Sequence, residues 1–160
     1  MINIVSHRAL NSAIGGPTKV FRNLTQGLDK INYPYVVNRD LNATKRLWIH
    51  DDLEALRYMG ESHACKVVGP NLFVLPQDIP NGTRFDGALY LQPSIWARNV
   101  FVDAGFQACP LEIWPVGVDT EAFSPPSTKP SRHQILIYHK NRAPQELVQI
   151  MKAVYDLNLP

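Results

Sequence analysis

Short apolar runs alternate with amphipathic stretches along most of this chain. Residues 2–6 (INIVS) are apolar and β-branched, which predicts a buried strand. A polar loop, 7–14, leads to Gly15-Gly16-Pro17. Over 18–31, Val20, Phe21, Leu24, Leu28 and Ile31 recur at helical spacing and predict an amphipathic helix. Pro17 suits its first turn, where a missing N–H costs nothing. Residues 35–37 and 47–49 are predicted strands, and the second runs into His50-Asp51-Asp52. An aspartate there can cap the next helix, which carries Leu53, Leu56 and Met59 and stops near Gly60. Residues 66–68 and 72–75 are apolar runs split by Gly69-Pro70-Asn71, and 76–86 have the composition of a loop.

The second half continues the alternation. Residues 88–91 (ALYL) read as a strand, and Pro93-Ser94 open a helix that runs to Phe106. Trp96, Val100, Phe101 and Ala104 form its expected buried stripe, with Gly105 placed to end it. Residues 111–114 (LEIW) are the next strand. The stretch 124–132 (SPPSTKPSR) has no apolar residue except proline and reads as a semi-rigid linker. A strand at 134–138 (QILIY) and a helix over 144–157 follow, the helix with Leu147, Ile150, Met151 and Val154 on one face. Strands alternating with helices imply parallel pairing, because parallel neighbours need crossover connections. The expected class is therefore α/β: a Rossmann-like open parallel sheet with helices on both faces. Residues 1–123 form that domain, 124–132 the linker, and 133–160 the first strand–helix unit of a second Rossmann-like domain. A single strand and helix cannot bury their own apolar face. Either this unit packs on the first sheet and completes one domain, or the natural protein continues.

Composition narrows the partners. An apolar content of 45% in 160 residues is enough for one domain with a core. A net charge of +2, with 19% charged residues, supplies no field for nucleic acid or an anionic membrane. No run approaches membrane-spanning length. The short run 1–6 meets His7 and Arg8 at once, unlike a secretory signal. Cys65 and Cys109 lack a CxxC or Cys/His neighbourhood, which points to a cytoplasmic protein with two buried or half-buried thiols.

Four constellations can carry chemistry. Gly15-Gly16 before a helix lets backbone approach a phosphate at the helix N-terminus, although such a pair also serves as a plain turn. In His50-Asp51-Asp52, His50 can act as a base or bind a substrate hydroxyl. The aspartates can hold a metal, but adjacent side chains diverge in regular structure, and a helix cap is the simpler reading. His139-Lys140-Asn141-Arg142 follows a strand, where Lys140 and Arg142 either clamp a diphosphate or form a solvated loop. Asp119 and Glu121 resemble an acid/base pair, yet their place beside Gly117 favours turn and capping roles.

PSIWARNVFVDAGF (93–106) followed by LEIWPVGVDTEAFSP (111–125) resembles a signature of the retaining GT-B glycosyltransferases of the family 4-like group. The shared features are a Pro-Ser pair opening a helix that closes on Gly105-Phe106, then Pro115, Gly117-Val118-Asp119, Phe123 and Pro125. Gly15-Gly16 match the family's opening glycine pair. The resemblance covers the ends of the chain better than its middle. It implies a hexosyltransferase with two Rossmann-like domains facing a cleft, acceptor on the first and nucleotide-sugar on the second. Sugar passes to an acceptor hydroxyl with retention, with no metal and no cofactor beyond the donor itself. By this likeness His50 lies nearest the reacting sugar, and His7 and Asp51 contact acceptor or donor. Gly15 and Gly16 approach the diphosphate. Lys140 and Arg142 occupy the loop of the family's basic pair, though not in its usual pattern. The implied partners are a nucleotide-sugar and a sugar or lipid-linked acceptor of polysaccharide assembly, in the cytoplasm and with peripheral membrane contact for a lipid acceptor. The family's glutamate pair belongs deep in the second domain, beyond residue 160, so the chain alone is expected to be inactive. The competing reading is a non-catalytic nucleotide- or sugar-binding α/β module complete at 160 residues. An epimerase-like enzyme fits less well, since no serine or tyrosine–lysine signature occurs at suitable spacing.

Overall fold

The computed structural model describes residues 1–7, 15–57, 63–70, 72–118, 120–121, 124, 127–128, 137 and 143–157. They divide between two compact units, Met1–Ala122 and Phe123–Pro160.

The first unit is built on β1 (Ile2–Val5), β2 (Tyr35–Val37), β3 (Arg46–Ile49), β4 (Cys65–Val68), β5 (Ala88–Gln92) and β6 (Leu111–Ile113). These form one sheet in the order β2-β1-β3-β4-β5-β6, with every pairing parallel. Helices α1 (Gly16–Lys30), α2 (Leu53–Arg57) and α3 (Ile95–Asp103) supply crossovers. The α/β class expected from the alternation is the one observed.

Strand alternation splits the core between the two faces of the sheet. In β3, Leu47 and Ile49 point to one side with Val5, Val68, Ala88, Tyr90 and the helix residues Ala55, Leu56 and Phe101. Trp48 points to the other, with Ile2, Ile4, Phe21 and Leu24. Thus α1 covers one face, and α2 and α3 cover the opposite one. Asn3, fully buried inside β1, is a polar residue within the run INIVS. Its side-chain amide donates to the carbonyls of Arg39 and Asp40 at 3.1 and 3.2 Å, so burial leaves its N–H groups satisfied.

Several local expectations change. In α3, Ser94 accepts from the Ala97 N–H at 3.1 Å and fixes the helix start. The sheet-facing positions are then Ala97 and Phe101, four apart, while Val100 is half-buried. Trp96 is 70% exposed, and Ala104 is the exposed C-cap, so neither belongs to a buried stripe. Ile31 lies past the last turn of α1 and is also exposed. In the apolar run 72–75 only Phe73 is buried, its N–H donating to the Tyr90 hydroxyl at 3.3 Å, and Val74 is exposed. Cys65 is exposed at the start of β4, where its side chain points away from the buried Lys66, and only Cys109 is half-buried.

Gly69, after β4, requires glycine. Its φ is +89°, and a Cβ there would stand 2.6 Å from the Leu91 carbonyl oxygen. The Gly69 carbonyl accepts from the Trp48 indole N–H at 2.8 Å.

In the second unit, α4 (Pro144–Asp156) is described. Leu147, Ile150 and Val154 are half-buried along one stripe, whereas Met151 is 61% exposed. The predicted strand at 134–138 lies outside the described residues except for Ile137, and so do Lys140 and Arg142.

Candidate functional site

All-parallel pairing brings every strand's carboxyl end to one edge. Ligands of open α/β sheets bind outside that edge, where the strand order reverses. Here the chain leaves β1 for β2 on one side and later sets β3 on the other, so the reversal lies between β1 and β3. The segments that emerge there begin at Ser6 and at His50. They carry or lead to Gly15, Gly16, His7, His50 and Asp51.

Ser6, directly after β1, is buried. Its N–H donates to the Asn38 side chain at 2.8 Å, and its carbonyl accepts from the same side chain at 2.9 Å. Asn38, in a left-handed conformation with φ 49°, therefore braces the exit of β1 from the exit of β2. The His50 N–H donates to the Val5 carbonyl at 2.9 Å, which extends the β1–β3 pairing by one step. Its ring is fully buried and packs edge-on against Phe21 of α1, centroids 5.7 Å apart. A histidine on an exposed loop would do neither.

The two aspartates diverge. Asp52 caps α2, its carboxylate accepting from the Ala55 N–H at 3.0 Å. Asp51 turns inward, and Oδ2 stands 3.7 Å from His50 Nδ1, beyond hydrogen-bond distance. Burial raises the Asp51 pKa. The His50 and Ser6 side chains and the His7 backbone N–H outweigh that and hold it below the ordinary carboxylate value. Asp51 is thus an anion at neutral pH and not an acid. The carboxylates do not share a ligand position. Among the described residues no group of three His, Cys, Asp or Glu could hold a metal, and no helix is long and apolar enough to cross a membrane.

The N-terminus of α1 completes this edge. Gly15 precedes it in an extended conformation, and no side chain among the described residues caps it. The first turn holds no acidic residue, so the helix dipole there is not offset from within. A Cβ on Gly16 would meet nothing within 4 Å; the fold itself does not demand glycine at this point. Thr18, in the same turn, is 5% exposed, and its hydroxyl has no partner among the described residues. From Gly16 to Phe21 is about 7.5 Å along the axis, so the open helix end and the His50 ring belong to one neighbourhood.

A cleft of about 350 Å³ adjoins on the other face, lined by Val5, Asn38, Arg39, Leu41, Asp52 and Glu54 among others. Sequence reasoning missed Ser6, Thr18, Phe21 and Asn38 as parts of the site. Ser6 and Asn38 were findable as strand-end residues of a parallel sheet; nothing local marks Thr18. Asp119 lies outside the described residues, and Glu121 is an exposed side chain 3.8 Å from Lys30. Comparison with protein-family models, curated proteins and solved structures finds no match to this chain.

Proposed function

We propose that this chain is the acceptor-side half of a retaining glycosyltransferase, which moves a sugar from a nucleotide-sugar to an acceptor hydroxyl. One observation carries the reading. The glycine N-terminus of α1, uncapped among the described residues, and the His50–Asp51 pair share the edge where the order of a parallel sheet reverses. The first suits an anionic diphosphate, the second a hydroxyl-bearing ring. The likeness of residues 93–125 to GT-B enzymes supplies the substrate class.

In this reading the α1 backbone N–H groups offset the charge that grows on the departing diphosphate. Gly15 and Gly16 let that group approach without a side chain between. By the same likeness Lys140 and Arg142, which lie outside the described residues, are assigned to the diphosphate. Asp51, ionised, accepts a hydrogen bond from a sugar hydroxyl or holds His50 for it. His50 is buried, so it acts on a group that enters between α1 and the β3 edge, while His7 and Gly16 are exposed to meet the ligand first. The reading requires no metal and no further cofactor. It places the reaction in the cytoplasm, beside the membrane where the acceptor is lipid-linked.

The test is titration of the protein, including any natural sequence after residue 160, with UDP- and GDP-sugars, measuring binding and nucleoside diphosphate release. Release that depends on an acceptor supports the enzyme. Absence of both binding and release sinks it. Saturable binding without release assigns the chain to the non-catalytic binding module instead.

A further inference from the structure

The segment after β6 crosses back over α1. Trp114 packs edge-on against Trp48 with centroids 5.2 Å apart, and the Asn23 side chain donates to the Gly117 carbonyl at 2.6 Å. Between this strap and the helix lie two adjoining hollows of about 190 and 260 Å³, which share Asn23, Gly27 and Gly117. Gly27 is the floor of both.

That glycine has no conformational reason to be there. It sits inside α1, where glycine costs about 1 kcal/mol relative to alanine. No described backbone crowds it either, since an added Cβ would meet nothing within 4 Å among the described residues. What the missing side chain does is keep the hollow open. The walls define the occupant. Trp114 and Pro115 give an apolar flank, and Asn23 and Gln26 present amides. Lys30 is the charged lining residue, and Glu121 stands 3.8 Å from it, which favours a neutral ligand over a phosphate. Trp114 lines the larger hollow and Gln26 the smaller, so a single ring that touches both lies across their shared floor at Gly27. Gly27 also lies about 16 Å from Gly16 along the helix, away from the switch-point edge.

We propose that the hollow over Gly27 binds a single neutral hexopyranose ring, its C–H face against the Trp114 indole and its hydroxyls on the amides of Asn23 and Gln26. The site stands independently of any transferase activity. It is tested with the whole chain by heteronuclear NMR titration with the methyl α-pyranosides of glucose, galactose and mannose, and with N-acetylglucosamine. At least one sugar is expected to shift the Trp114 indole and the Gly27 and Gly117 amides saturably, leaving Gly16 unmoved. In Gly27→Ala the two readouts should move oppositely. The melting temperature rises by about 3 °C, because a helix-interior glycine is replaced. Affinity for the same sugar falls about tenfold, because the methyl group overfills the floor. If none of the four sugars shifts those signals, or if Gly27→Ala binds as tightly as the parent, the proposal is wrong.

Discussion

On the α2–α3 side of the sheet, Phe73, Phe85, Tyr90, Phe101 and Phe106 touch one another at ring separations from 5.5 to 6.4 Å, and Tyr90 and Phe101 have no exposed surface. On the α1 side the buried apolar set among the described residues is Ile2, Ile4, Phe21 and Leu24, ringed by half-buried tyrosines and tryptophans and flanked by hollows. Buried polar residues occur on both faces, Asn3, Lys66 and Gln92 on the dense side and His50 and Thr18 on the looser one. His50 lies against Phe21, and Thr18, in the first turn of the same helix, has a hydroxyl without a partner among the described residues. A close-packed aromatic layer has no room for a ligand. The chain therefore concentrates aromatic cohesion on one face, where the cleft of about 350 Å³ opens only at the Asn38–α2 margin, and packs the α1 face more loosely.

The largest effects should come from the dense side. Phe101→Ala is expected to cost about 4 kcal/mol in urea unfolding, since a fully buried ring leaves a cavity that its neighbours cannot fill. Gly69→Ala should cost about 3 kcal/mol, from its left-handed conformation and the clash with the Leu91 carbonyl. Phe21→Ala should cost about 2 kcal/mol, because that ring keeps some exposure beside a face that can relax. Equal losses at Phe101 and Phe21 would break the comparison.

Asp51→Asn probes the polar edge and should cost about 1–2 kcal/mol at neutral pH, through loss of the charge facing His50 and Ser6. The pH profile separates this from a simple packing loss. The folded chain binds the Asp51 proton more weakly than the unfolded chain, whose carboxylate titrates near about 3.9. The stability it contributes is therefore in place above that pH and disappears as pH falls through the lower folded value. The variant should show a flatter acid limb in unfolding free energy measured from neutral pH downward. An unchanged limb would remove Asp51 from the charged edge.

The parallel sheet was legible because the strands are apolar runs of the right length separated by helical periods. Where a side chain points was less legible. Trp96 looked like core by hydrophobicity, but the Ser94 cap turned the helix so that Ala97 and Phe101 met the sheet. For the site, the types and strand-end positions of His50 and Asp51 were readable. Their burial was not, because it depends on Phe21, distant in sequence. Asp52 could be read as a cap from local spacing, whereas the inward turn of Asp51 depends on Ser6 at the end of another strand. Asn23 carries no local sign that it will hold Gly117 across more than ninety residues of chain.

The smallest effect is a reactivity difference that reports on the dense face without unfolding it. Cys109 packs at the margin of the aromatic layer, and burial pushes its thiol up to about 11. Only the thiolate attacks an alkylating agent, so at pH 8 on the order of one Cys109 in a thousand is competent at any moment. Cys65 is exposed on the opposite edge of β4. Iodoacetamide followed by peptide mass spectrometry should therefore label Cys65 first and Cys109 slowly. In Phe101→Ala the layer beside Cys109 is loosened, and its labelling should accelerate while that of Cys65 stays the same. If both thiols react alike in the parent protein, the aromatic face is less closed than its ring separations imply, and the contrast between the two faces fails at its better-packed side.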